Sequence, residues 1–71
     1  MSKEVKAPMP GKIIDILVNV GDEVLEYQEV AILEAMKMEN AIPSTEAGTV
    51  KEIKVKKDDT VQTSQVLMIL E

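Results

Sequence analysis

Seventy-one residues with eight lysines, thirteen acids and a net charge of −5 make one small acidic domain, with room for only a limited apolar core. The chain has neither cysteine nor histidine, which removes disulfides, thiolate and imidazole metal sites, and the usual Ser-His and Cys-His nucleophiles. It also has no arginine and a single aromatic residue, Tyr27, so the stacking and guanidinium contacts of a nucleic-acid surface are missing.

Taken in order, Met1-Ser2-Lys3-Glu4 does not open a signal peptide, and no apolar run approaches the roughly 20 residues of a membrane span. A cytoplasmic protein with no membrane insertion is expected. Ala7-Pro8-Met9-Pro10-Gly11 is neither helix nor central strand, because Pro8 and Pro10 remove two amide donors; it reads as a crossing segment. Beyond Gly11 the residues Ile16 and Val18 keep the period of two of a half-buried strand, while Ile13 is out of phase. A β-bulge near Ile14-Asp15 returns Ile13 to the core side. Asn19-Val20-Gly21-Asp22 reads as a turn and Val30 to Leu33 as a buried strand. After a second extended run through Ala41 and Ile42, ended by Pro43, Gly48 starts the pattern again: Ile53 and Val55 in phase, Val50 out of phase, a bulge near Lys51-Glu52, a turn at Lys56-Lys57-Asp58-Asp59 and a last strand over Leu67 to Leu70. Lys51, Lys54, Lys56 and Lys57 read as a solvated strand face, with a basic strip as the alternative.

That recurrence is an internal repeat. A shift of 37 positions lays residues 11–34 over 48–71, and nine of the 24 positions are identical: Gly11/Gly48, Ile16/Ile53, Val18/Val55, Asp22/Asp59, Val24/Val61, Gln28/Gln65, Ile32/Ile69, Leu33/Leu70 and Glu34/Glu71. Two copies of one unit, each too small to bury its own apolar face, are expected to pack about a pseudo-twofold axis. With no 3.6-residue period anywhere, the expected fold is all-β: seven or eight short strands in two antiparallel sheets, a flattened barrel or sandwich.

Between the copies lies Ala31-Ile32-Leu33-Glu34-Ala35-Met36-Lys37-Met38-Glu39-Asn40-Ala41-Ile42, which reads as a hairpin. Symmetric pairing puts Ala35 opposite Met38 and Glu34 opposite Glu39, leaving Met36 and Lys37 as a two-residue loop. Such loops favour φ > 0 at both central positions, normally the work of Asn or Gly, and a non-glycine residue there costs on the order of 1–3 kcal/mol. The facing glutamates add a further penalty. Symmetry sends Lys37 to one end of the barrel and Met1 and Glu71 to the other. Taken alone, Met-Lys-Met reads as a surface hairpin whose lysine is solvated and whose methionines fill gaps, and it is the rest of the chain that reverses this reading.

Glu34-Ala35-Met36-Lys37-Met38 resembles the attachment motif of biotinyl domains, the carrier parts of biotin-dependent carboxylases, decarboxylases and transcarboxylases. Ala7-Pro8-Met9-Pro10-Gly11, Val20-Gly21-Asp22-Glu23-Val24 and Gln28-Glu29-Val30 extend the resemblance over nearly the whole chain, so that residues 1–71 are expected to be one such domain. The resemblance implies the family's hammerhead of two four-stranded sheets, without the extra thumb loop of some bacterial members. Tyr27, Asp58 and Ser64 stand where these domains usually have glycine. It implies biotin covalently attached to Lys37 by a biotin protein ligase, with Glu34, Ala35, Met36 and Met38 serving motif recognition. It further implies a non-catalytic swinging carrier that moves a carboxyl group between biotin carboxylase and carboxyltransferase sites. A lipoyl carrier of the same fold usually has Asp or Glu before the lysine and a small or β-branched residue after it; Met36 and Met38 argue against that alternative. The remaining alternative is an unmodified scaffold domain whose lysine is incidental.

Overall fold

In the computed structural model, which describes residues 3–71, the runs of Ile, Val and Leu form eight short strands and, among those residues, no helix. They are β1 (Lys3–Lys6), β2 (Gly11–Ile16), β3 (Glu23–Val24), β4 (Glu29–Ala35), β5 (Met38–Pro43), β6 (Gly48–Ile53), β7 (Thr60–Val61) and β8 (Val66–Leu70). All pairings are antiparallel, in two four-stranded sheets ordered β1-β8-β6-β3 and β5-β4-β2-β7. The 37-residue shift carries one order onto the other, strand for strand. The short strands are exchanged: β3 belongs to the first copy but pairs with β6 of the second, and β7 of the second pairs with β2 of the first. Neither copy completes a sheet alone.

The core is built in the same pairs. Val5/Ile42, Ile13/Val50, Val18/Val55, Val24/Val61, Val30/Leu67, Ala31/Met68 and Leu33/Leu70 are all buried, and Ile16 and Ile53 pack against them. Both expected bulges are present, with the register slipping between Ile13 and Asp15 and between Val50 and Glu52. Ile32 and its relative Ile69 remain half-buried, so the apolar run of β4 is not wholly interior.

The duplicated polar residues have a duplicated task. An Asp22 carboxylate oxygen accepts from the Asn19 amide at 2.8 Å, and one of Asp59 accepts from the Lys56 amide at 3.0 Å. The Gln28 and Gln65 side-chain oxygens accept from the amides of Leu25 and Gln62, both at 2.9 Å. Each closes a four-residue turn at a backbone donor left outside the ladder. Those turns need left-handed residues: Gly21 (φ 96°) is matched by Asp58 (77°), and Tyr27 (68°) by Ser64 (66°). Tyr27, Asp58 and Ser64, which stand where the resembled domains usually have glycine, thus hold a left-handed backbone that glycine adopts without strain.

The molecule measures 33 × 17 × 17 Å. The short crossings from Ala7 to Gly11 and from Ser44 to Gly48 decide which sheet ends lie together: the first sets the Val66 end of one sheet beside the hairpin end of the other, and the second sets the Gly48 end beside the Glu29–Pro43 end. Glu71, bonded in both directions to Thr49, thus lies at the pole away from the β4–β5 hairpin. Met1, expected at that pole as well, lies outside the described residues. The β2–β3 connection, residues 17–22, has the same length as its relative, residues 54–59, and carries no inserted loop.

Relief of turn strain gives a direct check. Ser64→Gly is expected to raise unfolding stability by about 1 kcal/mol, and Gly21→Ala to lower it by about as much, both read from urea titration.

Candidate functional site

The hairpin register is the one that symmetric pairing demands: Ala35 faces Met38, Glu34 faces Glu39 and Leu33 faces Asn40. Met36 and Lys37 are left at the tip with φ of 53° and 65°, two adjacent left-handed residues, neither of them glycine nor asparagine. Among the described residues five non-glycine residues have positive φ, and these two are the ones without a symmetry relative inside the described repeat.

Several features hold the tip in place. Ala35 and Leu33 are buried, so the inner face of β4 runs into the core up to the turn. A Cβ on Gly11 would meet the carbonyl oxygen of Glu34 and come within 3.0 Å of the Leu33 side chain; only glycine lets β2 pass this close to the base of the hairpin. Lys12 lies opposite Glu34 in the ladder, and its Nζ stands 3.7 Å from Asp58 Oδ1, an exposed and weak tie to the second copy. On the other strand the Asn40 side-chain amide donates to the Met38 carbonyl at 3.3 Å. The requirement at Gly11 is tertiary; its signal in the sequence was the Gly11/Gly48 identity.

Beyond this support the tip is open. Met36 is 92% exposed and Met38 66%, whereas Met68 is fully buried, so the two motif methionines are not core fillers. The Lys37 side chain is exposed and, among the described residues, takes part in none of the ion pairs or side-chain hydrogen bonds. Of the five motif residues, Ala35 is buried at the base, Glu34 is exposed one rung below, and Met36, Lys37 and Met38 project into solvent. The described residues form no ligand-sized pocket and contain no cluster of three His, Cys, Asp or Glu fit to hold a metal ion. What the geometry offers is an exposed primary amine at the tip of a hairpin whose base is anchored in the core, flanked by two exposed thioether side chains.

The sequence profile of the family described as "Biotin-requiring enzyme" matches residues 3–70. A biotin carboxyl carrier protein of Streptococcus mutans is 53% identical over 64 residues, which cover 90% of this chain and 49% of that protein. Mitochondrial pyruvate carboxylase of Mus musculus is 41% identical over 68 residues, 96% of this chain and 6% of the enzyme. Among solved structures, Kluyveromyces lactis urea carboxylase superposes over all of this chain and 6% of its own, with TM-score 0.92 and 27% identity. The chain thus spans about half the length of the first relative and a small part of the others.

Gly11→Ala should loosen the hairpin specifically. Hydrogen exchange at the amides of residues 33–39 is expected to accelerate in that variant, while Gly48→Ala, whose Cβ would meet Glu71 at the opposite pole, leaves those amides at the parental rate.

Proposed function

The chain belongs to the biotin-requiring enzyme family, and from that membership we propose that residues 1–71 form a single biotinyl carrier domain, with biotin joined through an amide to Nζ of Lys37. The observation that carries this reading is the placement of Lys37: an exposed amine in a strained two-residue turn at one extremity of a rigid barrel. Strain of this kind persists where the surrounding structure over-determines it and a function needs the geometry.

In the attachment step the neutral Lys37 Nζ bonds to the carboxyl carbon of biotin and loses one of its two protons, keeping the other as the amide N–H, while a carboxyl oxygen departs with its activating group. No carboxylate or other base contacts Lys37 among the described residues, so the biotin protein ligase supplies both activation and base. Met36 and Met38 give the ligase an apolar grip on either side of the amine, and Glu34 and Ala35 fix the rung beneath it. Once attached, the biotin ring supplies a ureido nitrogen that takes up and gives back a carboxyl group. The domain itself is not an enzyme. Its contribution is effective concentration: the Lys37 side chain is the flexible part of the arm and the barrel its rigid part, and together they keep the carried group within reach of two active sites.

The partners are then the ligase, a biotin carboxylase and a carboxyltransferase of a biotin-dependent carboxylase, decarboxylase or transcarboxylase. The support for this is the similarity to a carboxyl carrier protein and to carboxylases. No helix of the described residues is long and apolar enough to cross a membrane.

Incubation with ligase, ATP and biotin should add one biotin, mapped by peptide mass spectrometry to Lys37, and Lys37→Arg should abolish it; comparable labelling of Lys12 or Lys51 would contradict the assignment. Position can be tested separately from composition. One strand residue advances about 3.3 Å and reverses the side-chain direction, whereas a reacting amine must come within roughly 3–3.5 Å of its electrophile. The exchange Met36→Lys with Lys37→Met should therefore cut the labelling rate at least about 100-fold in a folded barrel, while Met38→Leu, which keeps volume and apolarity, retains much of it.

A further inference from the structure

The pseudo-twofold symmetry supplies an internal control: whatever the barrel requires at one position, it also requires 37 residues away. Leu17, Val20, Leu25 and Tyr27 are 44%, 62%, 69% and 72% exposed. The related positions are occupied by Lys54, Lys57, Gln62 and Ser64. The same backbone is thus satisfied by polar side chains, and the buried cluster uses none of the four apolar ones. Val20 and Tyr27 occupy central positions of the turns at residues 19–22 and 25–28, tips from which a side chain has little of its own barrel to touch. Tyr27 is the one aromatic residue of the chain, and it is held at φ 68°, where glycine would be less strained. A strained, water-exposed aromatic ring weakens the fold and suits an interface, where Tyr is enriched among the residues that dominate binding.

Charge breaks the symmetry in the same place. Residues 17–29 contain Asp22, Glu23, Glu26 and Glu29, all exposed, and no lysine, whereas residues 54–66 contain three lysines against two aspartates. The pairing of Glu23 and Val24 with Thr49 and Gly48 places this segment toward the pole of Glu71, away from Lys37.

We propose that residues 17–29 form a docking face for a protein surface that carries basic residues around an apolar recess, so that the carrier is held by the pole opposite its working lysine and the hairpin stays free. The four carboxylates determine the sign of the occupant: an anionic lipid surface or a nucleic acid is repelled, and a second copy of this chain would bring the same four acids against themselves. The carrier reading enters only in the choice of probe, the biotin carboxylase and carboxyltransferase that work with this chain.

The variants that test it borrow the second copy's own residues, which the fold already tolerates at the related positions. Biotinylated full chain carrying Leu25→Gln and Tyr27→Ser is titrated against each purified component. At one of them the Kd is expected to rise at least about tenfold. The melting temperature should not fall, and the rate of Lys37 labelling by the ligase should stay at the parental value. In parallel, Glu23→Gln with Glu26→Gln should weaken binding to the same component and flatten its salt dependence. A parent chain that binds neither component, or a Kd rise below tenfold at both, overturns the docking face. If the apolar variant does not fold, the charge variant decides: a Kd within threefold of the parent at both components overturns it. Failure of the parent chain to accept biotin would instead refute the carrier reading, so the two failures are distinguishable.

Discussion

Everything in this barrel depends on the exchange of its two shortest strands. β3 and β7 are two residues long, yet each completes the sheet of the other copy and brings Val24 or Val61 into the common interior. Two-residue strands have no stability of their own, so the exchange is favourable only when both copies are in place. The halves therefore fold together or not at all, and a chain of 71 residues without disulfide or metal obtains one continuous core in place of two inadequate ones.

That interlocked core is what allows the hairpin to carry strain. Two successive left-handed residues, Met36 and Lys37, and a facing pair of glutamates, Glu34 and Glu39, are unfavourable features within a few residues of one another. They are held by the central strand β4, which is flanked by β5 and β2 and anchored through Leu33 and Ala35, and by the close pass of β2 at Gly11. The arrangement separates rigidity from motion. The backbone under Lys37 is fixed by tertiary structure, while the side chain above it is unrestrained. A carrier needs both, because the arm must turn between sites without losing the direction in which the domain presents it.

Much of this was legible in the sequence because it depends on periodicity. The phase slip between Ile13 and Ile16, repeated at Val50 and Ile53, located both bulges, and symmetric pairing about Met36-Lys37 set the hairpin register and its backbone signs. The exchange of β3 and β7 was not legible, since two residues cannot display a period. The identities Asp22/Asp59 and Gln28/Gln65 were visible, but their cause is a bond from side chain to backbone that appears only once the turns are formed. Gly11 is required by an approach between chain segments 23 positions apart, which no local pattern records. In the sequence Val20 lies in a turn and Tyr27 stands where glycine is usual, and nothing local marks Leu17 or Leu25; only burial separates the four from the core.

The central claim is that the folded barrel, more than the run of residues around Lys37, makes this amine an acceptor. It is tested most directly by giving one ligase two substrates at equal concentration, the folded chain and a linear peptide of residues 29–43. The peptide keeps the motif and loses the core that holds Met36 and Lys37 left-handed. The account predicts that kcat/KM for biotin addition is at least about 100-fold higher for the folded chain, as expected when a geometry supplied by tertiary structure must otherwise be found by chance. Equal kcat/KM for the two would contradict it.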